Sequence, residues 1–242
     1  MIRSIWWFIF FFSYVIYSLP KLKKVNNLSK DIPVEERDKL VHDTPKKWAR
    51  ALVELTKSTV TVTGQHHIPN GAVLFVSNHQ GNFDVPILIG YLEKPLGFIS
   101  KVEVKKIPLI PRWMEAMNCV FIDRSDRRKA IQSIRDGAQL LKNGHSLVLF
   151  PEGTRSKGEE MGEFKSGGLR LAIDSRVPIV PVCISDSYKI MEVNKFGFSK
   201  ADVSVKLGEP IFLPAEGKID SSALAEQIQN KIVELQNEKV VS

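Results

Sequence analysis

The chain has 242 residues, 43% of them hydrophobic, and 34 Lys or Arg against 27 Asp or Glu give it a formal net charge of +7. One main core is the expectation at this length, and the two cysteines, Cys119 and Cys183, have no Cys-x-x-Cys spacing, which excludes a secreted disulfide framework. The five histidines form no His-Glu-x-x-His or comparable set, so no metal and no cofactor are expected.

The first sixty residues hold eleven Lys or Arg against six Asp or Glu, which points to an anionic partner, either nucleic acid or a membrane. Ile5 to Leu19 is uncharged and rich in aromatic and aliphatic side chains, with Trp6-Trp7 near one end and Lys21, Lys23 and Lys24 just past Pro20. Fifteen residues rise about 22 Å as a helix, short of a hydrocarbon core of roughly 30 Å. A monotopic or re-entrant anchor therefore fits better than a full span, and a secretory signal is disfavoured because no small-x-small cleavage site follows. Thr44-Pro45 reads as a cap and a first-turn proline, followed by a short basic amphipathic helix with Trp48, Leu52 and Leu55 on one face and Lys46, Lys47, Arg50 and Lys57 around it. Beside the aromatic anchor, that helix is expected to lie on anionic lipid. The division expected is a membrane-anchoring motif over residues 1–57 and a second unit over 58–242, with no nucleic-acid partner, at the cytoplasmic face of the cell membrane in a peripheral or monotopic position.

From residue 58 onward, strand-like and helix-like runs alternate. Strands are predicted at Thr59–Thr63, Ala72–Ser77, Leu96–Ser100, Cys119–Ile122, Ser146–Phe150, Ile179–Ile184 and Val203–Leu207. Helices are predicted after Pro86, near Arg128–Lys142, near Gly168–Ser175 and over Ser221–Glu238. This pattern predicts an α/β fold with a single twisted, largely parallel or mixed sheet flanked by helices.

Chemistry collects where predicted strands end. After the apolar run Ala72 to Val76, His79 stands five residues before Asp84. An imidazole neutral near pH 7 takes a proton there if a carboxylate steadies the imidazolium, although Asp84 also suits the cap of the helix that follows. Phe121-Ile122-Asp123-Arg124 ends another strand and Phe150-Pro151-Glu152-Gly153-Thr154-Arg155-Ser156 a third. Arg124 and Arg155 offer planar forks for a phosphate and Gly153 permits close backbone approach, while Lys101 and Lys105 add point charge. A salt bridge to Asp123, Asp126 or another strand end is an equal alternative for Arg124. Glu159-Glu160 stand where a phosphate loop needs Lys-Ser/Thr, and no Gly-x-Ser-x-Gly elbow is present, so neither nucleotide cradling nor a serine acyl-enzyme is expected.

Asn78-His79-x4-Asp84, Phe121-Ile122-Asp123-Arg124, Phe150 to Ser156 and Val177-Pro178-Ile179-Val180-Pro181-Val182, in that order, resemble the four sequence blocks of the glycerolipid acyltransferases, most closely the bacterial 1-acyl-glycerol-3-phosphate acyltransferases. The likeness runs from about Val60 to Glu209. It implies transfer of an acyl group from a thioester, acyl-CoA or acyl-ACP (acyl carrier protein), to the 2-hydroxyl of lysophosphatidic acid, giving phosphatidic acid. In that reading His79 is the general base and Asp84 its orienter, and Arg124, Glu152, Gly153, Thr154 and Arg155 form the glycerol-phosphate site, assisted by Lys101 or Lys105. Glu152 is expected to position Arg155 or to hold a backbone amide, and the oxyanion donors are expected among backbone amides near Gly81 or Gly153.

Overall fold

The computed structural model describes residues 2–29, 31–194 and 197–238, with side chains from Ser4. Lys30 and the side chain of Arg3, two of the cations counted above, lie outside them. The chain begins with helices α1 (Ile2–Tyr17), α2 (Leu19–Asn26) and α3 (Val34–Glu54) and then alternates. Next come β1 (Thr59–Thr63), β2 (Leu74–Ser77), α4 (Asp84–Tyr91), β3 (Gly97–Lys101), α5 (Ile110–Ala116), β4 (Val120–Ile122), α6 (Arg127–Lys142) and β5 (Leu147–Leu149). The chain continues with α7 (Arg170–Ser175), β6 (Ile179–Ser185), α8 (Tyr188–Met191), β7 (Asp202–Leu207) and α9 (Ser221–Asn237).

The strands form one sheet in the order β1-β7-β6-β2-β5-β3-β4. Every neighbouring pair is parallel except β6 with β7. The central strands are apolar on both faces because helices cover both. Phe75, Val148, Val180 and Val182 point into a core shared with Val41, Ala49 and Val53 of α3 and Ile87 and Leu88 of α4. Leu74, Val76, Leu147 and Ile179 point the other way, onto Leu141 of α6, Leu171 of α7 and Ile228 and Ile232 of α9. This two-sided burial is what lets the strands read as continuous apolar runs. Because β6, β2, β5, β3 and β4 run the same way, their carboxyl ends open on one edge, and the chemistry-bearing segments gather there.

The structure corrects the reading of residues 44–57. The helix does not start at Thr44-Pro45; Pro45 lies inside α3, which begins ten residues earlier. Glu35 and Glu36 in its first turn oppose the helix dipole, and the pairs Lys39–Glu35 and Lys47–Asp43, both 2.8 Å, support the helix on either side of the proline. Most of its apolar face turns inward, although Leu55 is exposed. Ala49, Leu52 and Val53 are buried, Lys46 Nζ donates to the Leu92 carbonyl (3.0 Å) and Arg50 Nε to that of Gly90 (2.6 Å). Two of the expected lipid-facing cations instead satisfy carbonyls at the carboxyl end of α4.

The N-terminal helices pack against this body. Trp7 Nε1 donates to the Leu52 carbonyl (3.0 Å) and Trp113 Nε1 to Ser18 Oγ (2.9 Å). Of the paired tryptophans, Trp7 turns inward onto Phe83 and Phe198 while Trp6 is 66% exposed. Among the described residues no single helix is long and apolar enough to cross a membrane; α1 and α2 together pass that test as a pair bent by 41°.

His42 on α3 is buried, and desolvation, helped by Lys46, holds its pKa down to about 4. The unfolded chain therefore binds this proton first as pH falls, and stability present above pH 6.5 is lost as pH drops toward 4. Urea unfolding at pH 7 and pH 4.5 should show a loss of up to about 3 kcal/mol from this group, and His42→Phe should remove that share of the pH dependence.

Candidate active site

β2 ends in Ser77-Asn78, and the Asn78 side chain continues the ladder that the backbone leaves. Its Oδ1 accepts from the Ile184 amide and its Nδ2 donates to the Ile184 carbonyl, both at 2.8 Å, so the exits of β2 and β6 are pinned together. His79 follows. Its Nδ1 lies 2.7 Å from Asp84 Oδ2, its ring stacks on Phe150 at 4.0 Å and 14°, and 17% of its side chain is exposed. A carboxylate facing Nδ1 keeps the proton on that nitrogen. Nε2, which has no hydrogen-bond partner among the described residues, then carries the free lone pair.

Asp84 opens α4 but does not cap it; no side-chain cap bond is made there. The carboxylate is fully buried, and besides His79 it accepts from the Gly81 amide (2.9 Å) and from Ser187 Oγ. The local chain path serves this contact rather than helix termination.

Glu152, from the β5 end, is buried and reaches across to the same loop. Oε1 accepts from the His79 amide (2.7 Å) and Oε2 from the Gly162 amide (2.9 Å). Burial raises its pKa, and the two amides partly offset that. It holds backbone amides, one of the two roles expected for it, and makes no ion pair with Arg155. The Ser156 amide donates to the His79 carbonyl (2.8 Å) and the Lys157 amide to the Gln80 carbonyl (3.0 Å), completing a seam between the two loops.

The basic residues divide. Arg124 is exposed and donates from Nη1 to the Gly153 carbonyl rather than pairing with Asp123 or Asp126. Gly153 has φ +74°, a conformation that favours glycine, and its open face lets the exposed Arg124 guanidinium lie 2.7 Å from where a Cβ would stand. Arg155 donates to Asn82 Oδ1 and lies 3.6 Å from Glu192 Oε1. Thr154 and Lys101 are exposed, and Lys105 sits 4.6 Å over the Phe121 ring.

Three of the backbone amides around the expected oxyanion position already have partners. The Gly81 amide is spent on Asp84, the Asn82 amide on Glu192 Oε1 (2.7 Å) and the Gly153 amide on the Phe150 carbonyl (3.1 Å). Glu192, Ser187 and Gln80 escaped sequence reading altogether, although Ser187 follows a strand end as His79 does. Glu192 packs on Gly81 so closely that a Cβ there would meet its Oε2 at 2.5 Å.

Beside the dyad opens an apolar cavity of about 450 Å³, walled by Trp7, Phe11, Phe98, Ile107, Trp113 and Met117 and touching Asn82 and Phe83 of the His79 loop. Phe98 stacks on Phe150 at 6.3 Å, which places the cavity wall two rings from the imidazole. Burial pushes the Cys119 thiol up to about 12 and raises that of Cys183, so neither is a thiolate nucleophile near neutrality. Among the described residues no three His, Cys, Asp or Glu side chains converge as a metal site requires.

Residues 59–185 match the family model described as Acyltransferase. The chain is 36% identical over 186 residues to a "Probable 1-acyl-sn-glycerol-3-phosphate acyltransferase" of Mycoplasma pneumoniae, covering 75% of this chain and 68% of that protein. It is 34% identical over 222 residues to a protein of the same description from Mycoplasma genitalium, covering 87% and 81%. The crystal structure of the 1-acyl-sn-glycerophosphate (LPA) acyltransferase PlsC from Thermotoga maritima superposes with a TM-score of 0.80 over 98% of both chains at 26% identity.

Replacing Glu152 with Ala should leave the amides of His79 and Gly162 unpaired in a buried place. The expected cost is about 2 kcal/mol of folding stability, read as a lowered urea midpoint at pH 7 with unchanged m-value.

Proposed function

The chain belongs to the acyltransferase family, and from that premise we propose that it transfers a fatty acyl group from a thioester of coenzyme A or acyl carrier protein to the 2-hydroxyl of 1-acyl-sn-glycerol 3-phosphate. The products are phosphatidic acid and the free thiol. The observation that carries this reading is the His79–Asp84 contact at 2.7 Å on a loop whose Asn82 and Phe83 line an apolar cavity.

In the mechanism we propose, His79 Nε2 takes the proton of the acceptor hydroxyl as its oxygen attacks the thioester carbonyl carbon, and Asp84 stabilises the imidazolium that forms. Collapse of the tetrahedral intermediate breaks the carbon–sulfur bond, and the departing thiolate takes the proton back from the imidazolium. The acceptor alcohol is the nucleophile, so no side-chain nucleophile is consumed and no acyl-enzyme forms. The acyl chain lies in the apolar cavity, where each methylene taken out of water contributes about 0.8 kcal/mol. Arg124 and Arg155, with Lys101 and Lys105 nearby, receive the phosphate monoester. Its second negative charge favours this acceptor over phosphodiester head groups.

Both lipid substrates are amphiphiles, and the N-terminal helices supply a surface to meet them. Ile5, Trp6, Ile9, Phe12, Ile16 and Tyr17 expose an apolar stripe on α1, followed by exposed Lys21, Lys23 and Lys24 on α2. This combination suits insertion into the interface of an anionic bilayer at the cytoplasmic face.

With acyl thioester and lysophosphatidic acid in mixed micelles, His79→Ala should lower kcat by a factor of about a hundred or more, the scale of a general base. Turnover surviving that substitution would dismiss the base assignment. The double variant Trp6→Glu/Ile9→Glu should bind phosphatidylglycerol vesicles more weakly in flotation, yet keep its turnover in detergent micelles.

A further inference from the structure

Asp84 has no exposed surface, and its two oxygens are not equally served. Oδ2 accepts from His79 Nδ1 and Gly81 N, whereas the donor to Oδ1 is the hydroxyl of Ser187, 103 residues away and itself fully buried. Resting on the reading of His79 as the base, we infer that Ser187 is a positioning residue for acyl transfer: it holds the outer oxygen of Asp84 so that the carboxylate stays ionised and fixed against Nδ1 of His79. The family match ends at Ser185, two residues short of it.

An ordinary structural role would look different. Ser187 sits at the N-cap of α8, where a serine normally bonds the helix's free amides, yet it has helical φ and ψ and makes no side-chain cap bond. Its hydroxyl is turned away from its own helix toward Asp84. The residue cannot drift, because its amide donates to Gln80 Oε1 at 3.2 Å and the Asn78 bridge fixes the exit of β6 on that of β2. Gln80 Oε1 also lies 3.3 Å from Ser187 Oγ, but a hydroxyl has one proton, and the closer acceptor is the carboxylate.

The surroundings explain why that donor matters. Glu152 and Glu192 both feel the charge of Asp84, and burial raises both of their pKa values. Arg155 lies 3.6 Å from Glu192 Oε1. An Asp84 oxygen left without a donor among these carboxylates would make the pair more basic, so that the imidazole keeps its second proton to higher pH and is unavailable as a base.

The test is the pH dependence of kcat and of kcat/KM for lysophosphatidic acid, measured on the full chain in mixed micelles for wild type, Ser187→Ala, Ser187→Cys, Ser187→Thr and His79→Ala. Ser187→Ala should lower kcat near pH 7 by about tenfold, the rate equivalent of one charge-assisted hydrogen bond, with KM little changed. Its acid limb should move to higher pH; Ser187→Cys should fall between it and wild type, and Ser187→Thr should restore the wild-type profile. The position of the limb does not depend on the folded fraction, and the cysteine variant gives the same readout if alanine prevents folding. An unmoved limb in both Ser187→Ala and Ser187→Cys, with His79→Ala inactive, would overturn the role of Ser187 alone. Turnover persisting in His79→Ala would overturn the base reading, and this inference with it.

Discussion

The site is organised around a carboxylate taken completely out of water. An ionised Asp84 in that position is sustained only by donors directed at it, and the fold supplies three from separate places: a ring nitrogen five residues back, an amide three residues back and the hydroxyl of Ser187, just past the end of β6. Each contact constrains a different piece of chain. The His79 ring is held between Asp84 and Phe150, the Gly81 turn is drawn in so tightly that a Cβ would strike Glu192, and the exit of β6 is tied to that of β2. Glu152 does the same for the backbone from the opposite side. Nε2 is the ring nitrogen of His79 left without a partner among the described residues.

The sheet makes this convergence possible. Five parallel strands release their chains at one edge, so residues distant in sequence meet without long loops. The apolar cavity lies between the N-terminal helices and the face covered by α4 and α5, next to the dyad and open to the aromatic side chains of α1. One set of helices thus walls the cavity with Trp7 and Phe11 and presents Trp6, Ile9 and Phe12 outward.

Much of this was legible in the sequence, and the gaps have physical causes. Strand ends were visible because apolar runs stop at Asn78, Arg124 and Glu152, and the His79–Asp84 pair is local, separated by a single turn. The N-terminal half of α3 was hidden because Thr44-Pro45 carries every local mark of a helix start, whereas charge pairs and core contacts carry the helix through it. The inward turn of Lys46 and Arg50 was invisible because their partners are carbonyls of α4, which have no side-chain signature. Ser187 and Glu192 were missed for a similar reason: their partners lie 103 and 110 residues away, and only the β2–β6 pairing brings them together. The bonds that the Gly81 and Gly153 amides make depend on turn geometry, which no side-chain pattern announces.

The account stands most directly on Asp84, and the measurement that tests it is the steady-state rate of phosphatidic acid formation by Asp84→Asn. The amide keeps the size of the side chain but presents a neutral group, and its NH2 turns a donor toward a group that donates to the carboxylate, either Ser187 Oγ or the pair Gly81 N and His79 Nδ1. The account predicts a fold stable enough to isolate, a KM for lysophosphatidic acid near that of the unaltered protein and a kcat lower by about a hundredfold or more. A kcat within a few-fold of the unaltered protein would contradict it, since the imidazole would then need no buried charge to act.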